Sequence, residues 1–164
     1  MSSFVSEPLH ERHRVVGFDS GKPDLDGWLT QHALGAEARR IGRTFVWLDD
    51  RAVGYYTLAA QLLVREDLPK SLGRGGPRQV PAVLVARLAL DKTLHGQDLG
   101  GALLADALTR VVGATQTVAA RFVVVDAIDE SAAAFYEHHG FRRIPETGRL
   151  VQKISDVAAA LEPE

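Results

Sequence analysis

The chain has 164 residues, 46% hydrophobic and 24% charged, with 19 Lys and Arg against 21 Asp and Glu for a formal net charge of −2. At ~150 residues per domain this reads as one soluble globular domain spanning 1–164, long enough to bury a core without disulfides or a structural metal. The absence of cysteine excludes disulfide scaffolds, Cys-ligated metal centres and thiol nucleophiles, and the near-neutral balance excludes a uniformly basic coat.

No apolar run reaches the length of a membrane span, and the opening MSSFVSEPLHERHR lacks the apolar centre of a signal peptide. A cytoplasmic protein with no membrane contact and no bound metal is expected. The first helix signal is PDLDGWLTQHALGAEAR. Pro23 suits a first turn, Asp24 and Asp26 suit its positive end, and Leu25, Trp28, Leu29, His32, Ala33 and Ala36 recur at helical spacing. Gly35 is the expected break between two short helices. RTFVWLDDRAVGYYTLAAQLL reads as a hairpin whose turn is Asp49-Asp50-Arg51.

From about residue 64 to 81 the chain carries Pro69, Pro77, Pro81, Gly73, Gly75 and Gly76, so no regular element is expected there. PAVLVARLAL is apolar almost throughout, the mark of a strand covered on both faces. LHGQDLGGALLADALTRVV reads as a glycine-rich turn opening a helix, and ARFVVVDAI as a second buried strand. ESAAAFYEHH is a short helix with Gly140 just past its end. FRRI and RLVQKI read as closing strands, and SDVAAALEPE as a last helix capped by Ser155. The strand–helix–strand unit in the second half implies parallel pairing with a right-handed crossover, in an α+β (mixed α/β) architecture around one sheet.

Two segments carry the chemistry. In HGQDLGGALL, residues 95–104, glycines allow a tight turn and a close ligand approach where a helix begins. The first N–H groups of that helix have no intrahelical partner, an arrangement that attracts phosphate. Taken alone, such a turn is as well explained by ordinary helix initiation. In DESAAAFYEHHGF, residues 129–141, Tyr136 stands four residues before Gly140; a lone Tyr there is more often a half-buried aromatic. The pair of segments, each behind its own strand, shifts the balance.

Together they resemble the GNAT superfamily of N-acyltransferases, over nearly the whole chain. HGQDLGGALL resembles the acetyl-CoA pyrophosphate-binding motif Arg/Gln-x-x-Gly-x-Gly/Ala, with His95 and Asp98 departing from it. DESAAAFYEHHGF resembles the following motif, Asn-x-x-Ala-x-x-Phe-Tyr-x-x-x-Gly-Phe, matched by Ala132, Phe135, Tyr136, Gly140 and Phe141, with Asp129 in place of Asn. The resemblance implies a single GNAT-like domain: a central, mixed, mostly antiparallel sheet, flanking helices, and an acetyl-CoA-binding strand–turn–helix. It implies that Leu88, Ala89 and Leu90 offer backbone groups to the pantetheine arm. His95, Gly96, Gln97, Leu99, Gly100, Gly101, Ala102, Asp129, Ala132 and Phe135 are the further expected cofactor contacts. An acid at Asp98 is unfavourable beside pyrophosphate unless it points away, so weakened cofactor binding is expected.

FDSGKPDLDGWLTQHA, VGYYTLAA and VARLALD followed by GQDLGGALLADAL are similar, more narrowly, to the GNAT toxins of bacterial toxin–antitoxin pairs. That likeness implies acetylation of the α-amino group of aminoacyl-tRNA, translation arrest, and a small ribbon-helix-helix antitoxin as partner. A homodimer is left open. Tyr136 is the expected general acid, since a phenol with a pKa of about 10 is protonated at neutral pH. An α-amino group with a pKa of about 8 is partly neutral already, so a dedicated base is less needed. His138 and His139 are expected on an exposed turn where the cationic form is favoured.

The acceptor side rests on charge. Lys70, Arg74, Arg78 and Arg87 fall in a stretch from Pro69 to Leu90 with no acid, while Arg39, Arg40 and Arg43 form a second cluster diluted by Glu37. Any one of these could be a solvated surface charge, but Arg87 lies inside an apolar strand and needs a partner or a phosphate. Together they are the expected tRNA-binding residues. Two other readings stay open: the same chemistry on a small-molecule, peptide or protein amine, and an inactive acyl-CoA-binding or interaction module.

Overall fold

The computed structural model describes residues 4–162. Its strands form a seven-stranded mixed sheet in the order β1-β2-β3-β4-β5-β7-β6. These are β1 (Glu7–Pro8), β2 (Arg43–Asp49), β3 (Arg51–Val64), β4 (Gln79–Leu90), β5 (Phe122–Asp126), β6 (Arg142–Arg143) and β7 (Arg149–Lys153). The helices are α1 (Pro23–Gln31), α2 (Ala33–Ala38), α3 (Lys70–Gly73), α4 (Leu99–Ala114), α5 (Glu130–His138) and α6 (Ile154–Leu161). Two compact units share the chain: one runs to Ala59 and takes in Ala86–Ala107; the other comprises Ala60–Val85 and resumes at Leu108.

In the first unit β2 and β3 form the expected antiparallel hairpin, with Phe45 opposite Tyr56 and Arg43 opposite Leu58. Asp50 makes the turn at φ 63°, a left-handed conformation that Asp tolerates better than most residues. The register slips between Trp47 and Leu48, a bulge that adds local twist. Glu7 and Pro8 add a two-residue antiparallel strand beside β2, too short to show any alternation in sequence.

Pro23, Asp24 and Asp26 occupy the first turn of α1 as their chemistry dictates. The helix breaks at His32, whose backbone sits at φ −124°, and not at Gly35, which lies inside α2. Leu29, Ala33, Phe18, Val46, Ala52, Tyr55 and Ala89 pack into one core, each fully buried aliphatic side chain contributing about 2 kcal/mol. Its polar exceptions are satisfied. The Tyr55 hydroxyl donates to the Leu25 carbonyl at 2.6 Å. Asp106 of α4 accepts from the hydroxyls of Ser6 and Tyr56, each at 2.5 Å, and from the Trp47 indole N–H at 3.1 Å.

In the second unit β4 and β5 pair in parallel, Ala82 with Phe122 through to Val85 with Val125, as the strand–helix–strand pattern requires. Phe122, Val123, Val124 and Val125 are all fully buried, which explains the unbroken apolar run. β7 lies antiparallel to both β5 and β6. Leu63, Leu72, Val80, Phe122, Val124, Ile144 and Val151 form the core. The proline- and glycine-rich stretch is more regular than expected: a 3₁₀ turn at Arg65–Asp67 and the four-residue α3. Pro69 supplies the boundary before α3 instead of preventing it. α6 starts one residue before Ser155, with Lys153 at the cap position and no side-chain cap, so Ser155 does not cap it.

Candidate active site

In the first unit the glycine-rich turn hangs from the end of β4. The His95 ring N–H donates to the Leu90 carbonyl at 2.7 Å, and the Gln97 amide donates to the Thr93 carbonyl at 3.2 Å. Both side chains are therefore folded back on the loop, shaping it from within. Gly96 (φ 77°) and Asp98 (φ 58°) take left-handed conformations, and both are solvent-exposed. Leu99, Gly100, Gly101 and Ala102 form the half-buried first turn of α4. In a helix that begins at Leu99, the N–H groups of Leu99, Gly100 and Gly101 have no intrahelical partner, and the sixteen-residue helix places its positive end among them.

Asp91 fastens this loop. Its carboxylate accepts from the Asp19 amide at 2.9 Å, from the Thr93 amide and hydroxyl, and from Arg51 at 2.9 Å. Burial alone would push its pKa up, but the Arg51 pair and these N–H donors outweigh it and hold the carboxyl below the ordinary range. On β4, Ala89 is buried while Leu88 and Leu90 are half-buried, and the Leu90 carbonyl is already taken by His95.

Arg87, one residue before Leu88, stacks its guanidinium 4.1 Å from the centre of the Trp28 ring. That contact makes the charge tolerable inside an apolar strand. Trp28, Arg87, His32, Arg39, Thr57 and Ala59 line a hollow of about 330 Å³. Arg39 and Arg87 are thus brought together. Arg40 is exposed at φ 59°, and Arg43 is tied to Glu37 at 2.7 Å.

In the second unit Tyr136 lies on α5 and is only 6% exposed. Its ring meets Phe135 and Phe141 edge-on, at 5.4 and 5.6 Å. Its hydroxyl makes no hydrogen bond among the described residues. Burial first, and then the negative charge of nearby Asp126, push its pKa above the ordinary value of 10, so it is a firmly protonated donor. Asp129 caps α5 by accepting from the Ala132 amide at 2.8 Å, so that carboxylate and that N–H already serve each other. Phe135 is half-buried against His139, 4.8 Å between ring centres. His139 departs from the cationic expectation: partial burial, and then His138, lower its pKa.

Lys70 and Arg74 line a hollow of about 480 Å³ together with Arg65, Glu66 and Leu68. Arg78 is exposed, and its carbonyl accepts from the Arg65 amide at 2.9 Å. Arg143 is engaged by Glu130 and Glu137 and adds little positive field. Sequence reasoning passes over Arg65, Asp67 and Asp126. The one available signal is Asp126 itself, a charge ending the apolar run FVVVD.

A family model described as an acetyltransferase (GNAT) domain matches residues 39–143, a span that includes both the glycine turn and Tyr136. The chain belongs to the GNAT acetyltransferase family. This GNAT chain is 39% identical over 132 residues to a protein of Mycobacterium tuberculosis named tRNA-acetylating toxin, covering 80% of each. Its fold matches AtaT complexed with acetyl-methionyl-tRNAfMet at a TM-score of 0.88 and 27% identity, over 98% of this chain and 100% of that one. It also matches AtaTR bound with acetyl-CoA at a TM-score of 0.85 and 27% identity, over 99% of this chain and 100% of that one. The GNAT fold, mixed sheet and flanking helices expected from sequence are present.

Proposed function

We propose that this acetyltransferase moves the acetyl group of acetyl-CoA onto the α-amino group of aminoacyl-tRNA and so blocks translation. The observation that carries this reading is the 39% identity, over four-fifths of both chains, to a relative named tRNA-acetylating toxin. The local geometry fits the donor. The first turn of α4 offers unpaired N–H groups over Gly100 and Gly101, and nothing lies within 4 Å of where a Cβ on Gly96 would stand. Residues 96–102 would hold the pyrophosphate, and Leu88 and Ala89 would offer backbone groups to the pantetheine arm.

Bound acetyl-CoA supplies an acyl group activated as a thioester. The neutral acceptor amine forms the new C–N bond as the C–S bond breaks. Tyr136 gives its hydroxyl proton to the departing sulfur, and water carries the proton lost by nitrogen back to the phenolate. A backbone N–H of β4 stabilises the carbonyl oxygen as it gains charge. Arg39, Arg87, Lys70, Arg74 and Arg78 supply the positive field for the tRNA. The finer parts of the reading are a cytoplasmic setting, a small ribbon-helix-helix antitoxin as partner, and a homodimer as the working form.

Incubating the purified protein with radiolabelled acetyl-CoA and charged tRNA tests the reading directly. Label in the N-acetyl-aminoacyl product, and growth arrest on expression that a co-expressed antitoxin relieves, is the expected result. Label appearing only on small-molecule or protein amines would overturn it.

A further inference from the structure

Within the first unit the glycine turn is held on either side by a carboxylate. Downstream, Asp106 ties α4 to β2 and β3 through the Trp47 indole and the Tyr56 hydroxyl. Upstream, Asp91 follows directly on the last residue of β4. Its amide donates to the Val53 carbonyl at 2.8 Å, and the residue is 1% exposed. Between these anchors residues 95–98 are exposed. The His95 and Gln97 side chains bond to carbonyls of the same stretch of chain, at Leu90 and Thr93. The placement of the turn on the body of the unit therefore depends on Asp91 and Asp106.

Asp91 joins three stretches of chain that lie far apart in sequence. Its Oδ1 accepts from the Asp19 amide and from Arg51 Nη1, each at 2.9 Å. Its Oδ2 accepts from Arg51 Nη2 at 3.3 Å, from the Thr93 amide at 3.1 Å and from the Thr93 hydroxyl at 2.8 Å. The Arg51 fork thus meets both carboxylate oxygens, a two-point contact that fixes direction as well as distance. The Lys92 amide closes the same junction on the Asp19 carbonyl at 2.8 Å. Arg51 opens β3 straight after the hairpin turn at Asp50, so its own backbone is held by the sheet.

We infer that Arg51 and Asp91 are positioning residues for acetyl-CoA: the pair aims the N–H groups of the glycine turn at the pyrophosphate without touching it. The inference rests on the assignment of residues 96–102 to the pyrophosphate. An N–H···O bond weakens steeply once it is misaligned. A turn that the ligand must itself order also binds more weakly than one already in place. Firm attachment just ahead of Gly96 removes both losses. Asp98 sharpens the need, because its exposed carboxylate stands in the same turn and opposes an anion, leaving well-aimed backbone groups to supply the affinity.

Calorimetric titration of the whole protein with acetyl-CoA, with no acceptor present, tests the pair. Arg51→Met should raise Kd about tenfold. Arg51→Lys keeps the charge but not the fork, and should recover part of that loss. Thr93→Val removes one bond to Asp91 at an exposed position and removes no charge, so it should fold as wild type does and raise Kd roughly threefold. It decides the matter if Arg51→Met fails to fold. Val46→Ala, in the buried core of the same unit, should lower the melting temperature and leave Kd unchanged. Gly100→Asp sets a carboxylate in the first turn of α4, favourable to the helix and repulsive to pyrophosphate, and should abolish binding. If Gly100→Asp abolishes binding but Thr93→Val and any folded Arg51 variant bind as tightly as wild type, the positioning role is wrong and the pyrophosphate assignment stands. Val46→Ala weakening binding as much as Thr93→Val would equally overturn it, since stability alone would then explain the loss. If Gly100→Asp binds as wild type does, the pyrophosphate assignment falls and the positioning role with it.

Discussion

Replacing Tyr136 with Phe removes one oxygen and leaves everything the ring does for the fold. The side chain is 6% exposed, and its contacts with Phe135 and Phe141 are ring contacts that Phe keeps. The hydroxyl bonds to nothing among the described residues, so its loss orphans no partner. The expected change in stability is within about 0.5 kcal/mol. Loss of a positioned proton donor lowers rate by roughly 10²–10⁴, or about 2.7–5.5 kcal/mol on the barrier. Folding and catalysis thus separate cleanly. A thermal melt and a single-turnover acetyl transfer assay on the same preparation read both. The pH profile adds a check: with the phenol pKa raised by burial and by Asp126, the wild-type rate should show no fall from Tyr136 ionisation below about pH 10. A variant within threefold of wild-type rate, or one that melts far lower, would refute the assignment.

Gly140 sits at φ 95°, and a Cβ there would stand 2.8 Å from the Gln152 amide nitrogen, so Gly140→Ala should lower stability by about 1–3 kcal/mol in a urea melt. Asp91 has a folded-state pKa below its ordinary 3.8, so the stability it contributes is complete above about pH 3.8 and is lost as pH falls towards the folded value. Asp91→Asn should cost about 3 kcal/mol at neutral pH and flatten the acid limb of the stability curve, followed by circular dichroism. Lys70→Ala with Arg74→Ala should weaken charged-tRNA binding and leave acetyl-CoA binding unchanged. The slope of log affinity on log salt should become shallower by about 0.7–0.9 for each phosphate no longer neutralised; an unaltered slope would remove these two residues from the interface.

The long elements are legible because each carries a strong local signal. β4 announces itself by a run that is apolar but for Arg87 and β5 by an unbroken one, the hairpin by Asp49-Asp50-Arg51, and the end of α5 by Gly140. β1 and β6 have two residues each and exist only through their partners, so periodicity has nothing to grip. Proline reads as a breaker at Pro69, where it in fact precedes a helical turn. Ser155 has the chemistry of a cap, but its neighbour Ile154 already begins the helix because β7 ends there. In the candidate site, the glycine turn and Tyr136 are legible as motifs. The partners that give meaning to Asp106 lie 50 to 100 residues away in sequence, and the hollow around Asp126 draws on three separated segments, so no local pattern could reveal them.

The protein's two tryptophans sit in opposite circumstances. Trp47 is almost wholly buried and donates its indole N–H to the Asp106 carboxylate, whereas Trp28 is partly open and lies beneath the Arg87 guanidinium. Their emission is therefore a pair of built-in optical probes. Trp47 reports denaturation, and Trp28 reports any anion or nucleotide that draws Arg87 off its ring. Trp47→Phe leaves Asp106 with its two hydroxyl donors, Ser6 and Tyr56, and the molecule with a single indole fluorophore. Titrating that variant with uncharged tRNA would watch the acceptor end arrive without any acetyl transfer taking place.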